Sequence, residues 1–126
     1  MTQREWKEEM RVKEATPEEW AIAALKGARL RCLKSGREFA ITLGDLTTMW
    51  AAQGGKCAVS SLSLDVSLPI SHFGNPLQPS LDRIDSSKGY TPDNVRFVLL
   101  AVNVALNQWG LETFLSVARA MVSENE

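Results

Sequence analysis

The sequence predicts an α+β fold: N-terminal helices, a central hairpin–helix (ββα) module and a C-terminal helix. Three observations carry this reading. Residues 16–34 begin with helix-start residues and continue as a one-sided apolar stripe. From Lys56 the texture changes to short apolar runs separated by turn residues. A run with helical spacing then follows the last of these runs without a break. At 126 residues the chain has the size of one domain. Within it, residues 1–55 form the helical region, 56–110 the ββα module and 111–126 the last helix.

The elements follow in order. Thr16-Pro17-Glu18-Glu19 places a cap, a proline and two acids where a helix begins. Ala21, Leu25, Ala28 and Cys32 then share one stripe to about Lys34, and Ser35-Gly36 ends it. Phe39-Ala40-Ile41 reads as a short extended piece. Thr42 caps a second helix, Leu43 to Gln53, stopped by Gly54-Gly55. The segment before Thr16 reads as a short helix or a loose arm. Cys57-Ala58-Val59 and Leu62-Ser63-Leu64 read as short strands around Ser60-Ser61. Residues 67–79 lack periodicity and read as a loop.

Ser80–Ile84 and Asn94–Leu99 read as strands around a turn at Asp85–Asp93, in which Gly89 is expected to need a positive φ. Leu100–Trp109 reads as a helix lying on its own hairpin through Leu99, Val102 and Leu106. Gly110 breaks it. Leu111–Ser123 is the final helix, with Phe114, Val117, Ala118 and Met121 expected to face inward. Trp50 and Trp109 are expected in the core.

Composition excludes some classes. No apolar run approaches the length of a membrane span. The first residues are charged at once, unlike a secretory signal, so an intracellular, cytoplasmic protein is expected. Cys32 and Cys57 are then expected as free thiols. Net charge is −1, which does not announce a nucleic-acid binder. The charge is uneven, however. Residues 26–37 carry Lys26, Arg29, Arg31, Lys34 and Arg37 without an acid, whereas six Glu lie in residues 1–19. The basic run fits a solvated helix face or a phosphate-facing patch.

Asp82 lies in the first strand of the hairpin, and Asn103 lies on the edge of the helical stripe that packs back onto it. That spacing can bring one carboxylate and one amide oxygen together. Hard oxygen ligands with room for waters suit one Mg²⁺ or Mn²⁺ ion. Such an ion can stabilise charge building on a phosphoryl group.

The stretches GGKCAVSSLSL, SLDRID, KGYTPDNVR and AVNVALNQWG carry a resemblance. Residues 56–110 resemble the HNH, or His-Me finger (ββα-metal), nucleases, especially the endonuclease VII-like and phage-type branches. The resemblance implies a DNA-binding, metal-dependent hydrolase with Asp82 and Asn103 as metal ligands. Asn94 would tie down the loop and orient the catalytic base. A bacteriophage setting, in a bacterial or phage-infected cell, is implied in the same way.

Three departures qualify the resemblance. Arg83 stands where the family's general base His usually follows the metal-binding Asp, and a guanidinium cannot take a proton from water. It can clamp the scissile phosphate instead. The base would then be Asp85, the lone His72, which is equally a surface residue, or a water activated by the ion. The four-Cys zinc brace of many relatives cannot form, since only Cys57 occupies such a position; no zinc is expected. Asn103 replaces the family's second metal-binding His, as in the endonuclease VII-like branch.

Lys26, Arg29, Arg31 and Lys34, with Lys88 and Arg96, are the candidate DNA contacts; the last two are expected to be exposed. Asp82 could alternatively pair with Arg83 or Arg96. The expected partner is DNA, with no membrane. A homodimer and a protein partner on the N-terminal helices stay open. The rival reading is a decayed HNH scaffold that binds DNA or a protein, such as a phage assembly factor or an inhibitor, without cutting.

Overall fold

The computed structural model describes residues 1–5, 15–68 and 74–126. The expected arm before Thr16 falls largely outside the described residues, and so does His72. Residues 3–5 are helical and are entered through a reciprocal pair: Glu5 N–H donates to Thr2 Oγ1 and Thr2 N–H to Glu5 Oε2.

Helix α1 spans Pro17–Ser35. Thr16 is extended and accepts the Glu19 N–H at 3.2 Å, Pro17 opens the helix, and Gly36 ends it at φ 72°. Only glycine takes that left-handed cap without strain. The buried face holds Ala21, Ala28 and Cys32, as the stripe predicts, and adds Trp20. Helix α2, Leu43–Gln53, begins with a Thr42–Asp45 capping box and ends at Gly54, φ 63°. Its last residue, Gln53, also serves the sheet. The Gln53 side chain accepts the Phe97 N–H at 3.0 Å and donates to Phe97 O at 2.9 Å. An amide thus supplies the rung that a third strand would offer.

Strands β1 (Pro79–Arg83) and β2 (Val95–Leu99) pair antiparallel, with Leu81 opposite Phe97 and Asp82 opposite Arg96. Side chains alternate between faces. Leu81, Phe97 and Val95 share one face and belong to the core, where the Trp50 ring meets Phe97 edge-on at 5.3 Å. Ser80, Asp82, Arg96 and Val98 share the other face. Helix α3, Leu100–Leu106, leaves β2 at once and packs on both strands, completing a ββα unit. Helix α4 is Gly110–Glu124. The fold is therefore α+β, as expected.

Several expectations need correction. Residues 57–64 do not form two strands. Ser61 N–H closes onto Cys57 O at 2.9 Å, with Ser61 at φ 63°, and one bridge joins Lys56 to Ser63. The apolar residues there serve burial: Cys57 and Leu64 are core residues. Helix α3 stops at Leu106, short of Trp109, because Asn107 turns to positive φ. Trp109 is exposed. On α4 no residue is buried, and Val117 and Met121 are 53% and 61% exposed. Among the described residues helix α4 packs only on α3, and no second described element covers its stripe. Gly89 is not in the positive-φ region. It is buried where the turn runs against Phe39: Tyr90 N–H donates to Glu38 O, Ala40 N–H donates to Tyr90 O, and a Cβ on Gly89 would overlap the Glu38 backbone.

Cys32 and Cys57 are both buried and unpaired. No helix among the described residues is long and apolar enough to cross a membrane.

Candidate functional site

A cleft of about 1020 Å³ opens between α1, the hairpin and α3. Trp20 and Arg31 line it from α1, Asp82 and Arg83 from β1, Asn103 from α3 and Tyr90 from the turn. Asp82 and Asn103 therefore share one cleft, but they do not bond to each other.

Asp82 is 6% exposed and lies opposite Arg96 in the hairpin register. Arg96 Nε donates to Asp82 Oδ2 at 2.9 Å. Arg96, expected to be exposed, is instead largely covered, its side chain 20% exposed. The hairpin's own pairing turns that guanidinium onto the carboxylate. A buried carboxylate left unpaired would be costly.

Asn103 Nδ2 donates to Ser80 Oγ at 2.7 Å and to Leu81 O at 3.2 Å. A backbone carbonyl only accepts, so the amide must present its NH₂ group there. This leaves Asn103 Oδ1 and Asp82 Oδ1 without a hydrogen bond among the described residues. Two hard oxygens on residues that line one cleft are a donor set that Mg²⁺ or Mn²⁺ can use, with waters completing the shell. No group of three or more His, Cys, Asp or Glu side chains gathers among the described residues.

Asn94 organises the turn, and its residue type explains how. It is buried; its Oδ1 accepts Asp85 N–H at 2.9 Å, and its Nδ2 donates to Asp85 O at 3.1 Å and Gly89 O at 2.8 Å. One amide accepts once and donates twice here, which an ionised Asp, an acceptor only, or a Ser hydroxyl, with its single O–H donor, could not match.

Asp85, the first candidate base, is held otherwise. Its Oδ1 accepts both the hydroxyl and the N–H of Ser87, at 2.6 and 2.9 Å. The Ser87 hydroxyl and then its N–H hold the carboxyl below the usual carboxylate range, helped by the charges of Lys88 and Arg37. A carboxylate so stabilised is a weak proton acceptor. Asp85 does not line the main cleft. It borders a smaller hollow of about 210 Å³, which Asp82 and Arg83 also border.

Among the basic candidates, Arg31 reaches the cleft and is not simply solvated. Its Nε donates to Tyr90 OH at 2.9 Å, and its guanidinium lies 5.5 Å from the Tyr90 ring centroid. The Arg83 guanidinium lies 5.3 Å from the same centroid, and Arg83 Nη1 donates to Lys88 O. Lys26, Arg29 and Lys34 are exposed and do not line the cleft. Lys88 is exposed and makes only a 3.9 Å ion pair with Asp85.

Sequence reasoning missed Tyr90, Arg37, Ser80 and Trp20 as cleft residues. Arg37 lay in the basic run and could have been included on that ground. Tyr90 had no local signal, since its role arises from α1 and β1 meeting in space.

Comparison with protein-family models, with curated proteins and with solved structures gave no match for this chain.

Proposed function

We propose that this protein is a metal-dependent HNH-type endonuclease that hydrolyses DNA phosphodiester bonds. One observation carries the reading most. A carboxylate from the hairpin and an amide from the following helix, each with a free oxygen, line one arginine-rich cleft of a ββα unit. Asp82 and Asn103 would hold one Mg²⁺ or Mn²⁺ ion. When bound, that ion supplies Lewis-acid stabilisation of the charge that builds on the phosphoryl group and leaving oxygen.

The chain's own groups do the rest. Arg83 holds the scissile phosphate through donors that its bond to Lys88 O leaves free. Asn94 keeps the Asp85–Asp93 turn rigid beneath it. Arg96 neutralises one side of Asp82 and fixes its rotamer.

A second reading rests on a specific observation. Among the described residues lining the cleft, the one carboxylate is Asp82, which is committed to Arg96, and Asp85, outside that lining, is tied to Ser87. That arrangement favours a scaffold that binds DNA without cutting it.

Plasmid nicking separates the two readings. The wild type is expected to nick in Mg²⁺ or Mn²⁺ and not in EDTA, while Asp82→Asn and Asn103→Ala each lose at least about a hundredfold in rate. Nicking at the normal rate by either variant would remove this site from the mechanism. A wild type inert in every metal would favour the non-cutting scaffold.

A further inference from the structure

The arginines of the cleft outnumber what one phosphate needs. Arg31, Arg37 and Arg83 all line it. None pairs with a carboxylate among the described residues, where the two ion pairs are Lys88–Asp85 and Arg96–Asp82. Each of the three is anchored by a neutral partner: Arg31 by the Tyr90 hydroxyl, Arg37 by Ser87 O at 2.5 Å, and Arg83 by Lys88 O. A guanidinium carries five N–H donors. The anchors use one from each arginine, so donors remain on every one of them.

The anchors also fix where the charges sit. Tyr90 is buried, and its ring faces hold two of the cations within 5.5 Å of its centroid. Ser87 and Lys88 lie in the turn that Asn94 ties down. Two guanidinium groups gathered on one ring repel each other in the free protein, and a bound anion relieves that repulsion. The Asp82 carboxylate opposes an anion on one side, yet Arg96 already neutralises it.

We infer that Arg31, seated with Arg83 around Tyr90, and Arg37, anchored on Ser87 O in the same cleft, form a subsite for a phosphate flanking the scissile one, so that helix α1 is part of the nucleic-acid site. This rests on the reading of the cleft as a nucleic-acid site, and it adds a requirement. The ligand is a strand of at least two linked phosphates, and its grip does not depend on the metal.

The test is binding of a fluorescent oligonucleotide, followed by anisotropy in EDTA across a salt series. Arg31→Gln/Arg37→Gln should weaken binding about tenfold or more and reduce the slope of log affinity against log salt by roughly two. Arg119→Gln, which removes one charge on helix α4 outside the cleft lining, should alter the slope by less than about one half. Arg37→Gln alone removes only an exposed anchor and guards against misfolding; it should lower the slope by roughly one.

Wild-type affinity in the double variant, or an unchanged slope in Arg37→Gln, would overturn the subsite. So would failure of the wild type to bind the oligonucleotide. Because the assay contains no metal, arginine-dependent binding beside an absence of nicking would sink the nuclease reading and leave the subsite standing. Nicking with arginine-independent binding would do the reverse.

Discussion

Asn94 shows how much one side chain can hold. Its three hydrogen bonds span Asp85 to Gly89 in a buried position, so truncation strands the Asp85 N–H and the Gly89 carbonyl together, while Asp85 O keeps only the Lys88 N–H. Asn94→Ala should therefore cost about 2–3 kcal/mol in urea denaturation, whereas a variant as stable as wild type would show that the turn holds itself. The role was legible because Thr91-Pro92-Asp93-Asn94 is turn chemistry and the following residues are apolar. Gly89 was legible as a special position but not for the right cause. Its constraint is the Glu38 backbone, about fifty residues away in the chain, and no local signal reports that approach. The same limit applies to Asp82. Its partner was one of two arginines until the register put Arg96 directly opposite.

Elements were read well where their signals lie inside one turn of chain. The Thr16 and Thr42 caps and the Gly36 and Gly54 stops fall at the expected positions because each is a contact between near neighbours. Burial is different, since it needs a second element. Helix α4 carries a clean apolar stripe, yet the described fold lays it against α3 alone and leaves Val117 and Met121 open. Replacing both by Gln should then change the unfolding free energy by less than about 0.5 kcal/mol. Leu106→Ala, at a buried position in α3, should cost about 2–5 kcal/mol by comparison. A large loss in the α4 double variant, seen by chemical denaturation at low protein concentration, would mean that its stripe is covered within the monomer.

At the scale of the molecule, the cleft exists only while the helical half stays docked on the ββα half. One apolar core joins them, with Ala28 and Leu46 in the same cluster as Leu81, Phe97 and Val98; polar joints add to it, among them the Phe39–Tyr90 bridge, the Gln53 rung on Phe97, and Arg31 on Tyr90. The turns that frame them depend on ionised carboxylates. Ser67 and then Asn75 hold Asp65 below the usual range, Ser87 does so for Asp85, and Thr91 for Asp93. A carboxyl depressed in the folded state contributes stability above its unfolded pKa and loses it as pH falls through the folded value. The melting temperature should therefore be level between about pH 7 and pH 5 and drop below about pH 4. Asp65→Asn combined with Asp93→Asn should lower the plateau and shrink the acid drop; an unchanged acid limb would assign it to other groups. Guanidinium groups as a class keep their charge through so mild an acid range. Oligonucleotide binding measured against pH should accordingly persist down to the acid unfolding limb and vanish with it. Binding that faded while the fold remained intact would point to a titrating group in the cleft.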